Sequence, residues 1–190
     1  MKSIIETDRL ILRQMERSDL DDLKEMLFDP RVMYAYEHNF TEEDAKVWLE
    51  RQLNRYEQFG FGLWAMVEKK SGEMVGQAGI TWQECEGEKV LEIGYLLKYR
   101  HWHKGYASEA AIACRNYAFS VLNAEWICSI IKEDNFASQQ VAKRVGMKPE
   151  KEFMATYYNY LESQIACDYM KSLTILKEIL DSENYDENFD

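Results

Sequence analysis

Residues 90–111, VLEIGYLLKYRHWHKGYASEAA, join an apolar segment to a helix through a basic loop that contains a glycine. Small and apolar residues then recur with a helical period over 107–122, and residues 125–132, EWICSIIK, form an almost continuous apolar run. The two apolar segments suit buried strands, and the segment between them suits a packed helix. This order predicts a β-α-β unit over 90–132, in which the two strands are parallel.

The loop inside this unit has the composition of an anion site. A helix that begins at a turn presents unpaired backbone N–H groups and the positive end of its dipole. Gly105 lets the backbone approach a ligand closely, and Arg100 and Lys104 add positive charge. A plain connector that needs one glycine would have the same spacing, so both interpretations stay open. A metal site at His101 and His103 is disfavoured, because no third histidine or cysteine lies nearby in sequence.

The flanking segments extend the unit into a mixed α/β fold. Three β-rich runs with short turns between them, LWAMVEK, MVGQAGITWQE and VLEIGYLLKY, predict an antiparallel meander. Ser18 with Asp21, and Thr41 with Asp44, have the spacing of helix caps. The other predicted elements are a strand over 9–15, a short helix over 135–145, a closing hairpin (EFMATYYNY and QIACDYMKSL) and a last helix over 173–180.

Composition predicts a single soluble domain over 1–180, followed by an acidic, mobile tail over 181–190. The chain has 190 residues, of which 46% are hydrophobic, so it can bury a sizeable core. Its net charge of −11 disfavours nucleic acid as a partner and weakly favours a cationic substrate. No apolar run approaches the roughly 20 residues of a membrane span, and the N-terminus lacks the features of a signal peptide. With scattered cysteines that indicate reduced thiols, these features predict a cytoplasmic protein with no membrane partner.

Four segments together resemble one enzyme family. These are TDRLILR (7–13), EIGYLL (92–97), WHKGYASEA (102–110) and NFASQQVAKRVGM (135–147). Their order and spacing are similar to those of the GNAT superfamily of N-acetyltransferases, and within it to the Rim-type branch, which includes ribosomal-protein N-terminal acetyltransferases. The resemblance implies a mixed, mostly antiparallel sheet flanked by helices, with a splayed pair of central parallel strands.

The resemblance also implies a site for acetyl-CoA as cosubstrate, without a metal. The pantetheine arm would lie between the splayed strands and would bond to the backbone of Tyr95, Leu96 and Leu97, with Asn135 reaching it from the other side. The pyrophosphate would rest on the loop and the first turn of the helix, formed by Trp102, His103, Lys104, Gly105, Tyr106, Ala107 and Ser108. His103 stands where many members have a glycine, which leaves its backbone geometry open and would add a polar lid over the phosphates, while the central glycine is kept.

For the chemistry, the resemblance points to Glu92 as the base that accepts the amine proton. A strand glutamate that is merely paired or solvated is the alternative. Many members protonate the leaving thiolate with a tyrosine, but the matching position here is Ala142. Ser138 is then the available hydroxyl, although it could equally complete a helix cap begun by Asn135. Glu109, in the first turn of the helix, suits the helix dipole better than it suits catalysis.

The implied function is acetyl transfer from acetyl-CoA to a primary amine. The acceptor would be the N-terminal α-amine of a ribosomal or other protein, or a small cationic amine, and the enzyme would be a monomer or a homodimer. A non-catalytic acyl-CoA-binding or regulatory module is the alternative, followed by a pure interaction domain. Aromatic residues fall in segments that border the acceptor site in the family; they are Tyr34, Tyr36, Trp48, Trp82, Tyr157, Tyr158 and Tyr160.

Overall fold

A computed structural model describes residues 3–36, 38–156 and 170–179, which form one mixed sheet with helices packed on it. The strands of the described part are β1 (Ser3–Glu6), β2 (Leu10–Arg13), β3 (Leu63–Glu68), β4 (Met74–Cys85), β5 (Glu88–Leu97), β6 (Trp126–Lys132), β7 (Lys148–Thr156) and β8 (Met170–Ile179). The helices are α1 (Leu20–Leu27), α2 (Pro30–Met33), α3 (Glu42–Phe59), α4 (Tyr106–Ser120) and α5 (Phe136–Val145).

The described strands lie in the order β1-β2-β3-β4-β5-β6-β8-β7. Neighbouring strands are antiparallel except β5 and β6, which are parallel and are joined through α4. The predicted β-α-β unit, the meander of β3, β4 and β5 and the mixed fold class are therefore confirmed. The parallel pair lies inside an otherwise antiparallel sheet. At this internal position of the described sheet, two neighbouring strands end at the same edge.

Local sequence signals fix most helix ends. Thr41 caps α3 and exchanges hydrogen bonds with Asp44, and Gly60 ends this helix with a φ of 81°. The predicted cap at Ser18 is wrong. The reciprocal bonds are made by Glu16 and Asp19 instead, around a 3₁₀ turn that precedes α1. Asp19 is fixed there because its carboxylate also accepts two hydrogen bonds from the buried guanidinium of Arg13, at 2.6 and 2.7 Å.

The two ends of the chain differ from the sequence predictions. The predicted helix over 173–180 is wrong, because residues 170–179 form β8. This strand pairs with β6 from Trp126 to Lys132 on one side and with β7 on the other, and pairing on both edges outweighs a weak helical period. Strand β1 was not predicted, and the acidic tail over 181–190 lies outside the described residues. Within the described residues, no helix has the length and apolar character needed to cross a membrane.

The two faces of the sheet carry different helices. Helix α4 packs against β4, β5 and α5. On the other face, the indole of Trp48 in α3 donates a hydrogen bond to the side chain of Gln77 in β4, at 3.2 Å. Residues directly opposite in an antiparallel pair point to the same face, as do residues an even number apart along one strand. Thr81 lies opposite Glu92 and four residues along β4 from Gln77. The side chain of Glu92 therefore points to the face that carries α3.

Two opposed glycines test how tightly the meander is packed. Gly79 in β4 lies opposite Gly94 in β5. A Cβ on Gly79 would lie 2.0 Å from the carbonyl oxygen of Gly62, whereas one on Gly94 would meet only the end of the Leu63 side chain, at 3.3 Å. We expect Gly79→Ala to cost about 3 kcal/mol of unfolding free energy and Gly94→Ala about 1 kcal/mol or less, measured by urea unfolding. Equal losses would contradict this packing.

Candidate active site

Strands β5 and β6 separate soon after they meet. Their register contains one pair, Glu92 with Cys128. Past this pair, side chains replace the missing backbone bonds: the hydroxyl of Ser129 donates to the carbonyl of Ile93 at 2.9 Å, and the N–H of Ile130 donates to Oε1 of Glu92 at 3.2 Å. The parallel pair is therefore splayed, and a gap opens beyond Glu92.

The register of β5 decides which backbone groups face this gap. Hydrogen-bonding residues alternate in an antiparallel pair. The N–H of Lys98 donates to the carbonyl of Val75 at 3.0 Å, and counting back in twos makes Leu96 a bonded partner of Gln77. Tyr95 belongs to the alternate residues of β5 that do not bond to β4, so its N–H and C=O face the gap. The expectation for Leu96 is corrected accordingly, because its backbone groups are used within the sheet.

A cavity of about 760 Å³ fills the gap and spreads along the loop before α4. Nearly all residues predicted for the site line it. They are Glu92, Tyr95, Leu96, Leu97, Trp102, His103, Gly105, Tyr106, Ala107, Ser108, Asn135 and Ser138. Lys104 is the exception, and its Nζ instead lies 3.3 Å from Nδ1 of His101. The structure thus gathers segments up to 46 residues apart in sequence, from Glu92 to Ser138, around one space.

The loop before α4 has a backbone shape that glycine prefers. Gly105 is the N-cap of α4, with a φ of 82°. His103 also has a positive φ, 61°, so it keeps a left-handed conformation that costs a non-glycine residue about 1–2 kcal/mol. The indole of Trp102 holds the loop against the strand by donating to the carbonyl of Leu97 at 3.1 Å. This bond also uses the Leu97 oxygen that faces the gap.

The N-terminal strand region anchors the same loop. The carboxylate of Glu109 accepts hydrogen bonds from the Thr7 hydroxyl at 2.6 Å and from Arg9 through its backbone N–H at 2.9 Å and its Nε at 2.6 Å. A further guanidinium nitrogen of Arg9 donates to the carbonyl of Lys104 at 2.9 Å. Burial pushes the pKa of Glu109 upward, but these hydrogen bonds outweigh it and lower the pKa. Glu109 is therefore a structural carboxylate, as its position predicted.

The basic residues of the loop are largely neutralised by acidic partners. The buried ammonium of Lys98 contacts Asp22 at 2.5 Å and Glu25 at 2.9 Å. Arg100 forms ion pairs with Glu25 and Glu73. Neither Arg100 nor Lys104 lines the cavity, so the contribution of their charges to an anion site stays a prediction. The loop instead offers backbone N–H groups at the start of α4.

Glu92 has the electrostatic properties of a base at neutral pH. Burial raises the pKa of Glu92 to about 7, while hydrogen bonds from Ile130 and Gln83 and the charge of Arg55 oppose the rise. A carboxylate with a pKa near the working pH can both accept and release a proton readily. The bond from Ile130 fixes one oxygen of Glu92 at the point where the strands part.

The start of α5 closes the other side of the gap. Oδ1 of Asn135 accepts the N–H of Ser138 at 3.1 Å, so Asn135 is the cap of this helix, and this bond does not use its amide nitrogen. The hydroxyl of Tyr95 donates to the carbonyl of Ser138 at 2.9 Å, which ties β5 to α5 across the gap. Burial raises the pKa of Tyr95 to about 12, so this hydroxyl stays protonated. The capping interpretation of residues 135–138 therefore holds, and Ser138 also lines the cavity.

The cavity extends over α2 and α3. Of the predicted aromatic residues, Tyr34, Tyr36 and Trp48 line it, whereas Trp82 lines an adjoining groove. Tyr157, Tyr158 and Tyr160 lie outside the described residues. The sequence prediction missed several polar cavity-lining residues: Arg51, Gln52, Arg55, Gln83, Glu84, Ser129, Lys132 and Arg144. For α3 the signal was present, since residues 48, 51, 52 and 55 have the spacing of one helix face.

His101, one of the two histidines of the loop, contacts an acidic and a basic side chain. Nε2 of His101 lies 3.2 Å from Glu73, and its Nδ1 faces Lys104. In the parts of the chain whose side chains are described, no group of three or more His, Cys, Asp or Glu residues is arranged to hold a metal ion.

Comparisons with known proteins agree on one family. The acetyltransferase (GNAT) domain family matches residues 9–148. YkkB of Bacillus subtilis is 38% identical over 151 residues, covering 79% of this chain and 88% of that protein. YnaD of the same organism, named as an N-acetyltransferase, is 33% identical over 77% of this chain and 83% of its own length. The crystal structure of a GNAT-family acetyltransferase from Bacillus anthracis has a TM-score of 0.73 at 25% identity, covering 92% of this chain and 97% of that one.

The raised pKa of Glu92 predicts a pH-dependent effect of Glu92→Gln on stability. Its pKa is about 7 in the fold against an ordinary value of 4.5, so between these pH values the folded protein binds more protons than the unfolded chain. The contribution of Glu92 to the free energy of unfolding therefore falls as the pH rises through this window. Glutamine does not titrate, so Glu92→Gln does not lose stability in this way. The free energy of unfolding of Glu92→Gln minus that of the wild type, measured with urea, should increase by on the order of 1–3 kcal/mol from pH 4.5 to pH 8. A difference that does not change with pH would contradict the burial of this charge.

Proposed function

The chain belongs to the GNAT acetyltransferase family, and from this premise we propose that it moves an acetyl group from acetyl-CoA to a primary amine by direct attack within a ternary complex. The single observation that carries the proposal is Glu92, a carboxylate with a pKa of about 7 at the point where β5 and β6 part. A binding module without catalysis would have no need for a carboxylate with a raised pKa where the strands part, because desolvating it weakens the fold.

The gap and the loop have features that fit acetyl-CoA. The backbone N–H and C=O of Tyr95 face the gap as an open strand edge, which matches the amides of a pantetheine arm. The first amides of α4 suit a pyrophosphate, and the absence of a Cβ on Gly105 leaves room for its approach. The amide nitrogen of Asn135 is a further donor from the opposite side.

The proposed reaction needs a proton acceptor for the amine and a proton donor for the leaving thiol. An amine with an ordinary pKa of about 10 is mostly protonated at neutral pH, and Glu92 accepts this proton, directly or through water. The nitrogen then bonds to the carbonyl carbon of the thioester as the carbon–sulfur bond breaks. The second proton, which the nitrogen sheds as the amide forms, passes through the Ser138 hydroxyl or through water beside it to the sulfur, and Glu92 then releases its proton to solvent. Tyr95 holds the Ser138 segment in place through its hydroxyl.

The acceptor in this proposal is a primary amine presented from the α3 face, since the side chain of Glu92 points there. The resemblance to the Rim-type branch favours the N-terminal α-amine of a protein, and small amines are the other candidates. Tyr34, Tyr36 and Trp48 give the cavity an aromatic wall that would pack against the acceptor.

Glu92→Gln tests the proposed base. Turnover at pH 7, followed by release of free coenzyme A thiol, should fall by about two to four orders of magnitude, because glutamine keeps the shape but accepts no proton. Acetyl-CoA affinity, measured by calorimetry, should be nearly unchanged. The loss of turnover relative to wild type should become smaller as the pH approaches the amine pKa, since the substrate then arrives deprotonated.

Glu84→Gln is the matched control. Glu84 lines the same cavity but is exposed, so the loss of turnover in this variant should be far smaller. Wild-type turnover in Glu92→Gln would disprove the role of Glu92.

Gly105→Ala tests the loop as the phosphate site. Gly87, in the turn between β4 and β5, has a φ of 81° against 82° for Gly105 and does not line the cavity, so Gly87→Ala has the same backbone strain. Both variants should lose about 1 kcal/mol of unfolding free energy. Only Gly105→Ala should weaken coenzyme A binding, by about tenfold or more, since the new methyl group displaces a phosphate from backbone donors. Equal affinities would assign the phosphates to another place.

A further inference from the structure

Gln77 in β4 is a buried polar residue that borders the cavity. Only 1% of it is exposed, yet it lines the cavity. Its backbone lies inside the sheet, opposite Ala65 of β3 on one side and Leu96 of β5 on the other. The part of Gln77 that reaches the cavity is therefore its side-chain amide. A buried amide normally has hydrogen-bond partners for its oxygen and for its nitrogen, so the partners it has and lacks indicate what the cavity can hold.

The indole of Trp48 determines how this amide is oriented. An indole N–H donates and cannot accept, so the Gln77 atom that lies 3.2 Å from it is the oxygen Oε1. With Oε1 directed at α3, the amide nitrogen Nε2 and its two N–H donors are the remaining polar group of the side chain. Among the groups that the structure describes, none accepts a hydrogen bond from Nε2 of Gln77.

The amide nitrogen of Gln77 nevertheless has accessible surface. In the described part of the chain, the side-chain atoms that are both inaccessible and without a hydrogen bond are Nε of Arg13 and Nε1 of Trp64. Nε2 of Gln77 is not one of them, so it borders the cavity that Gln77 lines. A desolvated amide without a partner costs free energy, and a substrate oxygen in the cavity would remove this cost.

The surface of the sheet is open between Gln77 and the proposed base. Glu92, Gly94 and Leu96 alternate along β5 and therefore share the α3 face, and Leu96 lies opposite Gln77. Gly94 lines the cavity, and a Cβ placed on it would meet only the end of the Leu63 side chain, at 3.3 Å. No side chain of β5 therefore fills the space between Glu92 and Leu96 on this face, so an extended molecule has room to pass over Gly94.

The spacing along β5 sets the length of the substrate. Glu92 and Leu96 are four residues apart, which corresponds to about 13 Å along a strand. Since Gln77 lies opposite Leu96, an amine at Glu92 and an oxygen at Gln77 would be on the order of 10 Å apart.

The chemistry of the amide sets the kind of oxygen. The N–H groups of Gln77 have no lone pair for an ammonium, so a polyamine finds no partner there. The hydroxyl of an alcohol would also need an acceptor for its own proton, and Oε1 is already bonded to Trp48. A carboxylate would be a second negative charge in the cavity of Glu92. A carbonyl oxygen is neutral and only accepts, so it fits best.

We propose that the amine substrate carries a carbonyl oxygen about 10 Å from its nitrogen, and that Gln77 donates a hydrogen bond to this oxygen while the amine faces Glu92. The inference rests on the proposed acetyl transfer and narrows its substrate class to primary amines with an amide group at this distance. A peptide backbone and the carboxamide of a small amine share this chemistry. The proposal opposes the weak preference for a cationic substrate that the overall charge suggested.

Two matched pairs of amines test the proposal on the full chain, with acetyl-CoA as the donor. The amides are Ala-Ala-Ala amide and ω-aminooctanamide, in which the terminal carboxamide of the extended molecule lies on the order of 10 Å from the amine. Each is compared with an analogue in which an isopropyl group of similar shape replaces this carboxamide. In the wild type, kcat/KM should be about 10- to 100-fold higher for the amide in at least one pair, because the analogue leaves the donors of Gln77 unpaired.

The pair that shows the preference identifies the source of the carbonyl. A preference in the tripeptide pair alone indicates a polypeptide N-terminus, and a preference in the octanamide pair alone indicates a small amide. A preference in both pairs supports the Gln77 site with either source. Equal kcat/KM for amide and analogue in both pairs would overturn the proposal.

Gln77→Met should bring the ratio of amide to analogue close to one, mainly by raising KM for the amide, because methionine fills the same space without donors. Gln140→Met is the matched control and should keep the ratio, since Gln140 is an exposed glutamine that lines the cavity from α5. The ratio is taken within one variant, so a general change in activity cancels. If Gln77→Met does not fold, Trp48→Phe/Gln77→Met takes its place, because it also removes the indole donor that methionine leaves unpaired. A preference that survives the loss of Gln77 would contradict the proposal.

Calorimetry separates this inference from acetyl transfer itself. If no amine releases thiol, the proposed reaction with these amines fails, and binding of each pair to the protein saturated with coenzyme A still tests Gln77. Tighter binding of an amide than of its analogue, lost in Gln77→Met, supports the Gln77 site. Equal binding of amide and analogue in both pairs contradicts it.

Discussion

The separation of β5 from β6 is the constraint on which the site depends. Two parallel strands in a sheet normally bond along their length, yet these two share one registered pair. The sheet tolerates the opening because the hydroxyl of Ser129 and the carboxylate of Glu92 bond to the backbone groups that the opening exposes. Glu92 is therefore both the side chain that closes the end of the gap and the proposed base, which ties the chemistry to the geometry of the sheet.

Several basic residues in and near the loop before α4 form ion pairs with acidic residues. Lys98 and Arg100 are directed to acidic residues of α1 and of the turn before β4, and Arg9 is directed to Glu109. These pairs hold the loop rigid while its backbone amides stay at the helix start. An anion there would be bound by oriented dipoles, which lose little to salt screening compared with flexible surface cations.

Much of this arrangement could be predicted from the sequence, and the misses have physical reasons. The β-α-β unit, the meander and the Thr41 cap follow from local periodicity and short-range bonds. The cap at Ser18 failed because Arg13 stabilises Asp19 through a buried ion pair that no local pattern reveals. The position of the Arg100 side chain depends in the same way on a long-range partner, Glu73. Arg51 and Arg55 were missed because α3 was assigned only a buried stripe, although its spacing already placed them on one face with Trp48.

The bond between Arg9 and Glu109 joins residues 100 positions apart in the chain. A contact of such sequence separation closes a long loop, so it forms late relative to the local turns. During synthesis the N-terminal strand leaves the ribosome first. Arg9 can bond to Glu109, and the loop can take its final shape, only after the segment around Glu109 has also emerged. The nascent chain can therefore build most of the meander before the loop before α4 takes its final shape, so this loop is among the last parts of the fold to be completed.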